Sequence, residues 1–213
     1  MPSSNYKATL ALGIKLAMIA MVPAMVGLIV LREPLVRLLF ERGQFSAFDT
    51  QRTALAFLAY APQLPFVALD QLLIAAFYAR KNTITPVAIN AITVGLYALT
   101  ALTLVGSWGM PGLAFANSVQ NSAHALILLA LIWLALGGLM GYGIGLTLAK
   151  VSIASVLMGL AGSWLLGWLG GSLLVLGSAV VLCAALYVLL VLLLRVEEVH
   201  LFAAIVRERF QMV

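Results

Sequence analysis

Charge is what this chain has least of. Only 9% of its 213 residues are Asp, Glu, Lys or Arg, against roughly 25% in an ordinary soluble domain. With hydrophobic residues at 64% and a mean hydropathy of +1.13, it has too little polar surface to fold as a water-soluble globule. Cysteine occurs once, as Cys183, which excludes an intrachain disulfide framework and a cysteine metal site. In its apolar run that thiol reads as a small buried hydrophobe. The sequence also lacks a P-loop, a nucleophile elbow, a metal-ligand cluster and a close carboxylate pair, so it shows no machinery for hydrolysis or phosphoryl transfer. The chain therefore reads as a non-enzyme with no cofactor and no metal. Strand-type alternation is absent as well.

What is present is a series of runs of about 20 or more apolar residues, each long enough to cross roughly 30 Å of hydrocarbon as a helix. The expected fold is an all-α polytopic membrane protein with about six transmembrane helices and an amphipathic C-terminal helix. Span one runs from about Ala8 to Leu31, with Lys15 snorkelling to the inner surface and Pro23 placed to kink it. Arg32 to Arg42 reads as a helix end at the interface, broken by Gly43, and Ser46 as the cap of the next helix with Asp49 in its first turn. Span two, about Arg52 to Ala79, contains Pro62 and Pro65 and should bend. Span three, about Pro86 to Val105, opens with Thr85 as N-cap and Pro86 in the first turn, and ends in a Gly106 to Gly112 turn with Trp108 as an interfacial anchor. Span four covers about Leu113 to Leu136. A flexible glycine loop, Gly137 to Gly143, leads to span five, Ile144 to Leu169, and Gly170-Gly171 to span six, Ser172 to Leu194. Met1 to Lys7 shows no signal-peptide pattern.

The net charge of +5 needs no nucleic-acid partner, because the positive-inside bias accounts for most of it. With the N-terminus inside, Lys7, Lys15, Arg80, Lys81, Lys150, Arg195, Arg207 and Arg209 fall inside against Arg32, Arg37, Arg42 and Arg52 outside, so both termini are expected to be cytoplasmic. After Arg195, the residues Val199, Phe202, Ile205, Val206 and Phe210 recur at helical spacing among charges, as in a tail lying on the membrane.

Polar residues inside the spans are the functional candidates. An ionisable group at mid-membrane is disfavoured by roughly 2.5 to 3.5 kcal/mol on insertion scales, so Asp70 should face protein or water. Gln63 lies two turns earlier on the same face, and Gln71 beside Asp70. Span three carries Asn90, Thr93, Tyr97 and Thr100, and span four Asn117, Gln120, Asn121 and His124. These stripes either line a hydrated pathway or bond to one another as interhelical glue worth about 0.6 to 2 kcal/mol per bond. For His124 a satisfied buried histidine is preferred over a proton carrier. By contrast Ser152, Ser155, Gly159, Gly162 and Ser163 form a small-residue face suited to close helix packing, and the rest of spans five and six suits acyl chains.

Two loops carry a resemblance. Glu33-Pro34-Leu35-Val36, Leu38-Leu39-Phe40, Arg42-Gly43, Phe45 and Asp49-Thr50 resemble the outer loop of the MurJ/MviN lipid II flippases. Phe77-Tyr78-Ala79-Arg80, Asn82-Thr83 and Thr85-Pro86-Val87 resemble their inner loop. The match covers about Met1 to Val87, and beyond it the span pattern agrees. The resemblance implies a fourteen-helix transporter of the MOP (multidrug/oligosaccharidyl-lipid/polysaccharide) superfamily. Residues 1–136 would complete its second lobe, 137–195 would be two additional helices beside a groove for a polyprenyl tail, and 196–213 a cytoplasmic tail. It further implies a bacterial inner-membrane location, a lipid-linked peptidoglycan precursor moved from inner to outer leaflet by alternating access, contact with membrane lipids, and a missing N-terminal half on the same or a separate chain. Gln63, Asp70, Asn90, Asn117, Asn121 and His124 would face the cavity, and Arg80, Asn82, Thr85 and Pro86 would form the inner hinge. Asp70 stands where similar sequences carry a lysine, so no role transfers to it. The alternatives are export of another polyprenyl-linked oligosaccharide and a non-transporting membrane scaffold.

Overall fold

The computed structural model describes residues 4–139, 141–169 and 173–199. Seven α-helices follow one another: α1 (Ser4–Phe40), α2 (Ala47–Tyr60), α3 (Leu64–Ala79), α4 (Ile84–Trp108), α5 (Met110–Leu136), α6 (Ile144–Leu169) and α7 (Leu173–Leu193). A 3-10 turn, Ala61–Gln63, joins α2 to α3. It carries Pro62 and is followed by Pro65; each proline removes a backbone donor from the ladder, and the α-helical run of the second span is interrupted there, where the sequence predicts a bend. Counting α2 and α3 as one span, six helical segments among the described residues are long and apolar enough to cross a membrane.

The helix ends follow local chemistry. Ser46 and Asp49 form a reciprocal capping box, the Ser46 N–H donating to Asp49 Oδ2 at 2.9 Å. The helix it opens starts at Ala47, directly after the Ser46 expected to cap it. At the hinge between α3 and α4, Lys81 adopts φ 58°, and the Asn82 N–H donates to Phe77 O while that of Lys81 donates to Tyr78 O. This is a Schellman ending closed by a lysine where glycine is usual. The expected N-cap role of Thr85 is corrected, because α4 already begins at Ile84. The Asn82 carboxamide accepts the Thr85 N–H at 3.1 Å and donates to its hydroxyl at 2.9 Å, so Asn82 satisfies the first-turn donor. The expected Gly106 to Gly112 turn shrinks to Gly109 alone, at φ 60° and ψ −134°. Gly112 sits inside α5, where a Cβ would lie 2.8 Å from Leu104 O.

The main core lies where α1, α3, α5 and α6 meet. Leu10, Ile14, Met18 and Val22 step along one face of α1 against Leu69, Leu73 and Phe77 of α3, Leu128, Ile132 and Leu136 of α5, and Val151 of α6. Helix α4 packs along α5, while α6 packs on α1 and α7 on α6 and α1. The small-residue face of α6 is largely as expected. Ser155 is fully buried, and a Cβ on Gly159 would lie 2.5 Å from Val26 Cγ1 of α1. Ser163 leaves this face, being exposed and bonded to its own Leu160 O. Cys183 is half-buried, not buried, and the 137–143 loop tucks Leu139 into the core at 3% exposure.

Lys15 does not simply snorkel. Its Nζ lies 2.7 Å from Glu198 Oε1, and the Thr147 hydroxyl donates to both oxygens of that carboxylate at 3.3 and 3.4 Å. Burial pushes the Glu198 carboxyl up, but the Lys15 hydrogen bond and charge, its own backbone N–H and Thr147 together hold it below the ordinary carboxylate value. Val196 and Glu198 are buried, so the start of the expected surface tail docks into the bundle. The rest of that tail, from residue 200, and the Gly170-Gly171 turn lie outside the described residues.

Candidate functional site, a polar seam between α3, α4 and α5

One face of α5 changes character along its length. Its second half supplies Leu128, Ile132 and Leu136 to the core, while its first half presents Asn117, Asn121 and His124 at spacings of four and three. A second stripe runs from Gln63 at the 3-10 turn to Asp70 on α3. Helices α3 and α5 are separated by one reversal on each side of α4 and so run parallel, which lets the two stripes meet in the same order. Asn121 Nδ2 donates to Gln63 Oε1 at 2.5 Å and to Asn117 Oδ1 at 3.1 Å. One turn further on, His124 Nδ1 lies 2.6 Å from Asp70 Oδ1, with the two side chains 7% and 14% exposed. The Ser118 hydroxyl adds a bond from α5 to Ala59 O of α2 at 2.5 Å.

Helix α4 joins at one point. His124 Nε2 bonds to the carbonyl of Pro86 at 3.1 Å, so the imidazole touches three helices. An open cavity of about 250 Å³ beside it is lined by Asp70, Ile74, Tyr78, Pro86, Val87, Asn90 and His124. Of the α4 stripe, Asn90 reaches this cavity. The Thr93 and Thr100 hydroxyls bond within their own helix, to Asn90 O and Leu96 O, and Gln71 on α3 is exposed. The hinge residue Arg80 is exposed too. Asn82 and Thr85 bond to each other at the hinge, and Pro86 belongs to the seam through its carbonyl.

The structure thus brings five of the six cavity candidates into two bonded groups, Gln63 with Asn121 and Asn117, and Asp70 with His124. The sixth, Asn90, lines the same cavity. An acid does stand beside His124 once the helices pack, which linear sequence conceals. A signal was available: Gln63 to Asp70 and Asn117 to His124 are both steps of seven residues, as two parallel stripes in register require. The Pro86 carbonyl left no trace in sequence. Among the described residues no group of three His, Cys, Asp or Glu side chains is placed to hold a metal, and no buried side-chain nitrogen or oxygen lacks a partner. Among the described residues, six helical segments apolar and long enough to cross a membrane, with a polar seam between three of the helices, define a multi-pass helical membrane protein.

A family model described as "Lipid II flippase MurJ" matches residues 3–184, most of the chain. The chain belongs to the MurJ lipid II flippase family. The probable lipid II flippase MurJ of Rhizobium meliloti (strain 1021) is 41% identical over 112 residues, covering 52% of this chain and 21% of the relative. That of Thermotoga maritima is 31% identical over 184 residues, covering 84% of this chain and 36% of the relative. A solved structure of lipid II flippase MurJ in an inward closed conformation matches the fold with a TM-score of 0.72 at 23% identity, over 92% of this chain and 40% of that one. The chain therefore spans well under half the length of these relatives.

Proposed function

We propose that this chain forms one part of a lipid II flippase, carrying the lipid-linked peptidoglycan precursor from the inner to the outer leaflet of a bacterial inner membrane. The observation that carries this reading is the family match over residues 3–184, joined to a fold shared along 92% of the chain. Helices α1 to α5 act as the end of a transporter lobe and α6 and α7 as an added pair, with both termini cytoplasmic. Asp70, Asn90 and His124 form the polar wall that a transport cavity needs, while Gln63, Asn117 and Asn121 hold α3 on α5 behind it. An apolar groove of about 380 Å³ between α1 and α7, lined by residues including Pro23, Gly27, Cys183 and Tyr187, suits the lipid tail. The remaining helices that enclose the cavity come from the rest of the family's length, on the same polypeptide or another.

The test is lipid II exposure at the outer surface of cells depleted of their own flippase. Rescue by this chain together with the remaining helices, and not by either piece alone, is the expected outcome. Absence of rescue when both pieces reach the membrane overturns the reading. Cysteines placed at positions 63, 70 and 117 should differ in that assembly, position 70 reacting with water-soluble reagents and position 117 resisting them.

A further inference from the structure

We propose that Asp70 and His124 form a proton-binding site whose occupancy latches α3 and α5 to the first turn of α4. The geometry fixes where the protons sit. A carbonyl only accepts, so the Nε2 that bonds to Pro86 O at 3.1 Å carries a hydrogen. The 2.6 Å approach of Nδ1 to Asp70 Oδ1 then requires a second proton between these atoms, on the ring as imidazolium facing carboxylate or on the acid facing neutral imidazole. Either way the pair is neutral overall, which suits two side chains 7% and 14% exposed in a span.

Loss of that one proton to water in the adjoining cavity leaves Nε2–H in place, a bare Nδ1 lone pair and a full carboxylate. Two acceptors then face each other at hydrogen-bond distance and the site bears one uncompensated negative charge. The contact must part or draw in water, freeing α3 from the histidine that also holds α4. Uptake of a proton reverses the change. Among the described residues that line the cavity, no second Asp, Glu, Lys or Arg stands by to neutralise the site. Helix α4 carries no Asp, Glu, Lys or Arg, and α5 none besides the histidine. On α3 the other titratable group at the cavity is Tyr78, and from α1 Tyr6 reaches α3, its hydroxyl donating to Ala76 O. Arg80 and Lys81 lie past the end of α3. A plain interhelical clamp, such as the Gln63–Asn121 amide pair, has no removable proton, and this distinguishes the two halves of the seam.

The site stands on this geometry whether or not lipid II is the cargo, and its test reads no transport. Ile74, which lines the cavity, is replaced by cysteine in a Cys183→Ala background, and labelling by a water-soluble maleimide is followed in membrane vesicles bearing the full chain. The same reporter is placed in an Asp70→Asn background. There the amide donates to Nδ1 and keeps the latch shut at every pH, so the ratio of the two rates cancels the pH dependence of the thiol. Between about pH 5 and about pH 8 that ratio should rise roughly tenfold, as an open form of about 10% or less becomes the major one. A flat ratio overturns the proposal. Should Asp70→Asn fail to insert, 15N spectra of the His200→Gln chain isolate His124. Nε2 protonated throughout, with Nδ1 changing in step with Ile74→Cys labelling, supports the site; a bare Nε2 or an unchanging Nδ1 overturns it.

Discussion

Between α1 and α6 the helices meet where side chains are missing: Gly159 leaves so little room that a Cβ would press to 2.5 Å from Val26 Cγ1, and on the α7 side one at Gly162 would sit 2.9 Å from Cys183 Sγ. Between α3 and α5, besides the apolar core they share with α1, the contact is made by carboxamides, a carboxylate and an imidazole. Hydrocarbon offers no hydrophobic drive for helices to associate, so either backbones approach closely enough for dispersion to hold them or polar groups find each other. The first arrangement has no protons to move and a single best fit. The second contains groups whose bonding depends on protonation, and it borders the open cavity. The dry seam is suited to a fixed joint and the polar seam to one that opens.

The largest way to break this contrast is at the end of the dry seam where Lys15 of α1 pairs with Glu198. Lys15→Ala leaves the Glu198 carboxylate, 5% exposed, without its counterion, and removing one member of a buried pair costs about 3–5 kcal/mol. A marked fall in the thermal midpoint in detergent is expected, largely recovered by adding Glu198→Gln. The pH dependence has a definite sign. The folded state holds the Glu198 carboxyl below its ordinary value, so this contribution is complete above the unfolded value of about 4.3 and disappears as pH falls through the lower folded one. Acid titration of stability should show this loss in the parent and not in Glu198→Gln.

Next in size is the close approach itself. Gly159→Ala forces the new methyl into Val26 and should destabilise by about 1–3 kcal/mol. Gly145→Ala, in the same helix with nothing within 4 Å of the new Cβ, should be neutral or stabilising by up to about 1 kcal/mol. Equal effects at the two positions would show that α1 and α6 do not interlock at Gly159.

How much of this was legible depended on the range of the interaction. Helix α6 was readable as Ile144 to Leu169 because its apolar run is bounded by glycines. The Ser46 cap with Asp49 in the first turn was readable because neighbouring residues settle it, and the structure closes the two into a capping box. The 3-10 interruption at Pro62 follows from the donors that Pro62 and Pro65 lack. The start of α4 was misplaced because Thr85 followed by proline mimics a cap, and only the carboxamide geometry of Asn82 shows which side chain accepts the first-turn N–H. The Lys15 pair with Glu198 and the His124 bond to Pro86 join elements far apart in sequence and have no local signature. The polar stripes lay between these extremes: their residues were identifiable one by one as improbable in lipid, but their pairing needed the parallel order of α3 and α5.

The smallest effect sharpens the comparison most, because it asks whether the upper part of the polar seam is simple glue. Gln63→Ala and Asn121→Ala each remove one amide from a direct bond, and their coupling in a double-mutant cycle isolates the pair. Asn121 keeps Asn117 Oδ1 as a second acceptor at 3.1 Å, so losing Gln63 does not leave its amide bare. The coupling should therefore fall near the low end for membrane hydrogen bonds, about 0.6 kcal/mol, and stay the same at pH 5 and pH 8 because neither amide titrates. The corresponding cycle for Asp70→Ala and His124→Ala should give a coupling that changes between those pH values. Identical behaviour of the two cycles would mean that the seam is uniform glue along its length. A coupling that varies with pH for the lower pair alone would assign the opening motion to Asp70 and His124, and the fixed pivot about which α3 moves to Gln63 and Asn121.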